Sequence, residues 1–67
     1  MLLAYITSPQ TIRVFDCDYA KQAAFIHFDG TDEDGLEQLH EAGFKTVGST
    51  WDRTGHGGEP CLEVERA

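Results

Sequence analysis

The sequence predicts an α+β domain: a small antiparallel sheet of about five strands with one helix packed on one face, in the order β-β-β-α-β-β. Three observations carry this. Short runs of β-branched and aromatic residues with alternating polarity recur along the chain. One stretch, Thr31 to Gly43, has helical periodicity with a start and a stop signal at its ends. The connections between the runs are short, which favours antiparallel neighbours. The 67 residues form a single domain, 1–67, in which folding buries only about 60% of the unfolded surface.

Leu2 to Thr7 is rich in strand formers, Ser8-Pro9-Gln10 makes a short turn, and Thr11 to Asp16 alternates with Ile12 and Val14 on one face. The first two strands therefore form a hairpin. Asp18 to Ala24 can be read as a capped helix or as a loop. The loop reading fits better with a third strand over Ala23 to Phe28, in which Ala24, Ile26 and Phe28 share one side. Asp29-Gly30 then turns the chain into the helix. Thr31 is its N-cap, with Asp34 placed to reach back as a shortened capping box. Asp32, Glu33 and Asp34 fill the first turn, where the helix dipole favours carboxylates. Gly43 stands where a left-handed residue ends a helix, and Phe44 follows where an apolar side chain folds back on Leu39. Phe44 to Trp51 reads as a strand weakened by Gly48. Asp52 to Glu59 is a polar, glycine-rich loop, and Pro60 opens a last strand alternating Leu62, Val64 and Arg66 with Cys61, Glu63 and Glu65.

These assignments place Ile6, Ile12, Val14, Ala24, Ile26, Phe28, Leu36, Leu39, Phe44, Val47, Leu62 and Val64 in the core. On the helix, Leu36, Leu39 and the flat edge at Gly43 turn inward. One helix cannot cover both faces of five strands. Leu3, Tyr5, Phe15, Phe25 and Trp51 are therefore expected on the other face, as a second small core or as a homodimer or partner interface.

Twelve Asp and Glu against five Lys and Arg give a net charge of −7, which disfavours direct contact with nucleic acid or an anionic membrane and favours a cationic partner. Met1 to Ile6 is apolar but far too short for a signal-peptide core or a membrane span. A cytoplasmic protein is expected. Cys17 and Cys61 are far apart in sequence and lack a Cys-x-x-Cys spacing, as expected of free thiols in a reducing compartment.

Four patterns bear on chemistry. Gly30 to Glu41 approaches a calcium loop, with Asp32, Asp34, Gly35 and Glu41 at the right offsets. Its first position is Gly30, which has no side-chain oxygen, and the same residues make a capped helix. Thr54 to Pro60 beside Arg53 suggests a phosphate cradle, yet it leads into a proline where such a loop needs a helix N-terminus. His27, His40 and His56 lack the spacing of a zinc site. Neither cysteine has a histidine and carboxylate placed by sequence for nucleophilic catalysis. The sequence therefore predicts no catalytic residues, no metal site and no cofactor: a protein that is not an enzyme.

What remains is the outer side of the helix. Glu33, Glu37 and Glu41 recur at i, i+4, i+8, with Asp34 beside them and no Lys or Arg between Lys21 and Lys45. Like charges at this spacing cost roughly 0.2 to 0.5 kcal/mol per pair. A solvated acidic face is one reading of this row, and it goes with a small structural or subunit protein that associates through its open sheet face. The other is a charge mimic, because i to i+4 advances about 6 Å along a helix, close to the spacing of successive phosphates. Asp29 and Asp32 would extend such a face, and Trp51 or Tyr19 would supply an apolar anchor. In size, acidity and lack of catalytic residues the chain resembles, at the level of a class, the small inhibitors that phages and mobile elements encode, including anti-CRISPR proteins and other DNA mimics. The resemblance implies a partner that is a nucleic-acid-binding protein or complex, such as a CRISPR-Cas effector, bound at its basic DNA-reading surface. The partner-binding residues expected are Asp29, Asp32, Glu33, Asp34, Glu37, Glu41 and Trp51.

Overall fold

The computed structural model describes residues 1–48, 51, 52 and 59–67. Six elements follow the expected order: β1 (Leu2–Ser8), β2 (Thr11–Asp16), β3 (Lys21–His27), α1 (Asp32–Glu41), β4 (Phe44–Thr46) and β5 (Cys61–Arg66). They build one sheet ordered β3-β2-β1-β5-β4, with every neighbouring pair antiparallel. The ambiguous stretch after Asp16 is a turn followed by β3. In that turn the Asp16 carboxylate accepts the backbone N–H of Asp18 at 3.0 Å, a local bond that competes with helix formation.

The two-residue alternation of the strands sorts the sheet into two faces. Ala4, Ile12, Val14, Ile26, Leu62 and Val64 are buried on the helix side, joined there by Phe28, Leu39 and Phe44. Leu2, Ile6, Ala23, Ala24 and Leu36 pack around them, partly buried. Leu3, Tyr5, Phe15 and Phe25 alternate with the buried set and so belong to the other face. β3 and β4 are the two edges, and α1 connects them across the helix-side face.

Three expectations are corrected. Val47 is 55% exposed and is not a core residue. The strand expected over Phe44 to Trp51 ends at Thr46. Trp51 is buried in the helix-side core instead of standing on the open face. For Trp51 the register gives the reason. Thr46 pairs with Val64, so an unbroken ladder would bring position 49 opposite Cys61, but Asp52 pairs there. The chain accommodates three extra residues, and an odd number reverses which face each later side chain meets.

The helix face is also rotated from the expected one. Gly35 and Leu39 are its buried residues, whereas Leu36 is only half-buried and Gly43 is exposed. Gly35 lies where the helix comes closest to the core: a Cβ there would stand 3.1 Å from Trp51 Cζ2 and 3.4 Å from both Ile12 and Phe28. Gly43 acts through its backbone, at φ +93°, the left-handed conformation that glycine adopts readily at helix ends.

Candidate functional site

Thr31 caps α1 as expected, its Oγ1 accepting the Asp34 backbone N–H at 3.2 Å. The reciprocal bond differs from a capping box. Asp34 Oδ2 accepts the backbone N–H of Asp29 at 2.8 Å, and Asp29 Oδ1 accepts both the backbone N–H and the hydroxyl of Thr31, at 2.8 and 2.7 Å. Asp29, Thr31 and Asp34 therefore form an interlocked turn. The bonds from the Thr31 backbone and then its hydroxyl hold the Asp29 carboxyl below the usual aspartate range. Gln38 Nε2 donates to the other Asp34 oxygen at 3.4 Å.

These bonds divide the residues expected to contact a partner. Glu33, Glu37 and Glu41 are exposed on the outer side of α1, and none of the ion pairs among the described residues involves them. Asp32 is exposed at the first helical position. Asp29 and Asp34 serve the helix start, with Asp34 half-buried. Trp51 is 7% exposed, and its indole Nε1 donates to the Asp32 carbonyl at 3.4 Å, which ties it to the first turn of the helix. It is thus a packing residue and offers little surface to a partner. Tyr19, by contrast, is 75% exposed.

The strand carboxylates do not join the helical row. Glu63 stands opposite Leu3 on the sheet face away from α1, and Glu65 on that face pairs with Lys45 Nζ at 3.6 Å. Asp16, Asp18, Glu63 and Glu65 border a depression of about 280 Å³ with Met1 and Arg66. There the Met1 ammonium pairs with Asp18, a bond that raises the ammonium pKa.

A second depression, of about 290 Å³, lies on the open sheet face between Tyr5, Thr7, Arg13, Phe15, Gln22 and Glu59. Arg13 is not among the residues that the sequence singles out. Its position between Ile12 and Val14 in an alternating strand is the signal that places it outward. Arg13 Nη1 donates to Gln22 Oε1 at 2.7 Å, and its Cζ lies 4.7 Å from the Phe25 ring centroid. Burial chiefly pushes the Tyr5 phenol pKa up.

Among the described residues no three or more His, Cys, Asp or Glu side chains converge to hold a metal. Cys17 is exposed and Cys61 half-buried, both as free thiols. Arg53, Thr54 and His56 lie outside the described residues, and with them the phosphate-cradle reading. No described helix is long and apolar enough to cross a membrane. Comparison with protein families, curated proteins and solved structures finds no match.

Proposed function

We propose that the protein is a non-enzymatic acidic binding protein that inhibits a nucleic-acid-binding effector by occupying its basic DNA-binding surface. The observation that supports this reading is the row of Glu33, Glu37 and Glu41, exposed together along one helix. Each like-charged neighbour in the row costs roughly 0.2 to 0.5 kcal/mol, which a cationic groove would turn into attraction. The helix is held by its caps and by the Gly35 and Leu39 packing, so the row is presented without further ordering, and less entropy is lost on association. Asp32, exposed in the first turn of the same helix, adds a further carboxylate near its N-terminal end.

Capture from a host-cell lysate tests the reading. The wild-type protein is compared with a Glu33→Gln, Glu37→Gln, Glu41→Gln variant at low and moderate salt. The expected result is retention of a DNA- or RNA-binding complex by the wild type alone, released by added duplex DNA and by rising salt. Equal capture by both proteins would show the row to be solvation only.

A further inference from the structure

The sheet face turned away from α1 has its charges separated. Phe25, Arg13, Tyr5 and Cys61 stand side by side across β3, β2, β1 and β5, and Phe15, Leu3 and Glu63 form the next row across β2, β1 and β5. The β2 flank thus carries the Arg13 guanidinium, held by Gln22 and Phe25. The β5 flank carries Glu63, and Glu59 precedes it on the rim of the groove. Farther out, Lys45 and Glu65 pair with each other. Between the flanks β1 contributes Leu3 and Tyr5, both half-buried, with Thr7 exposed beyond Tyr5 where it lines the groove. Phe25 is 47% and Phe15 37% exposed.

We propose that a second copy of this chain covers this face, packed sheet to sheet about a two-fold axis running along β1. Rotation about that axis exchanges the two flanks. Arg13 of each copy comes over the β5 flank of the other, beside Glu59 and Glu63, while Leu3 and Tyr5 meet close to the axis. A two-fold interface requires one patch that complements itself, and a cationic flank and an anionic flank on either side of an apolar strand meet that requirement. A strongly basic partner would instead set its charge against Arg13. The arrangement is that of a two-layer sandwich with sheets about 10 Å apart. It leaves both α1 helices on the outside, with their glutamate rows accessible, and it does not depend on what those rows bind.

Sedimentation equilibrium of the full chain, at concentrations up to about 1 mM, tests the proposal with three proteins: wild type, Arg13→Glu, and Arg13→Glu combined with Glu63→Lys. Far-ultraviolet circular dichroism confirms that each is folded. The wild type is expected to dimerise, Arg13→Glu to weaken the dimer by about tenfold or more, and the added Glu63→Lys to recover most of that loss. Salt from roughly 0.05 to 0.5 M should not weaken the wild-type dimer, because screening relieves repulsion between two acidic chains while the pairs in the interface are partly shielded. A wild type that stays monomeric throughout overturns the proposal. So does a dimer indifferent to Arg13→Glu, or one whose loss Glu63→Lys does not repair.

Discussion

The Trp51 indole fills the space that a side chain on Gly35 would need, with Cζ2 3.1 Å from the ideal Cβ position. Glycine inside a helix is unfavourable by roughly 0.5 to 1 kcal/mol relative to alanine. Here it lets the helix backbone approach the ring. Replacing Gly35 with Val crowds this contact and should destabilise the fold by about 1 to 3 kcal/mol through overpacking. Trp51→Ala removes the ring and should cost about 3 to 5 kcal/mol. Urea titration followed by circular dichroism measures both. Near-wild-type stability in Trp51→Ala would show that the ring adds little to the core.

The glutamate row predicts a conflict between stability and binding. Glu37→Lys replaces two like-charged i to i+4 pairs by two opposite ones, and should stabilise α1 by about 1 kcal/mol at low salt. The gain should shrink as salt is added. The same substitution should weaken capture of the basic partner. Thermal melting and the capture assay, run on one preparation, give both signs.

Asp29 gives a pH dependence. Its carboxyl is held below the usual range by the bonds from Thr31, so the unfolded chain binds the proton more readily than the folded one. The resulting stability is fully present above the unfolded value of about 4, and is lost as pH falls through the lowered folded value. Stability measured from about pH 2 to about pH 6 should therefore fall less steeply on the acid side in Asp29→Ala than in the wild type.

Ala20, in the turn between β2 and β3, has φ of 53°, a conformation that costs a non-glycine residue roughly 1 to 2 kcal/mol. Ala20→Gly relieves this, while making the unfolded chain more flexible. A net gain of up to about 1 kcal/mol is expected, read as a higher melting temperature. A value lowered by the full cost of the added flexibility would show that the turn holds Ala20 without strain.

Much of the fold was legible because its signals are local. Thr31 marks the start of α1 through a local side-chain cap and Gly43 its end through φ, and the alternation in Thr11 to Asp16 needs only the pleat of a strand. Glu33, Glu37 and Glu41 could be placed on one exposed side in the same way, since helical spacing fixes that without reference to the rest of the chain. The Asp34 reach-back was anticipated in kind but not in partner: Asp29 already occupies the Thr31 N–H, so Asp34 bonds the backbone of Asp29 instead.

By itself, then, the sequence determined the order of elements, the helix and its ends, the acidic row and the apolar character of the open sheet face. Tertiary structure alone decided the position of Trp51 and the close approach of the helix backbone to it at Gly35. Each of these depends on which residue stands opposite which when the elements pack. Three extra residues between the Thr46 and Asp52 pairings reverse the faces beyond them, and that displacement is set by packing against α1 and β5, not by the pattern of the segment that contains it.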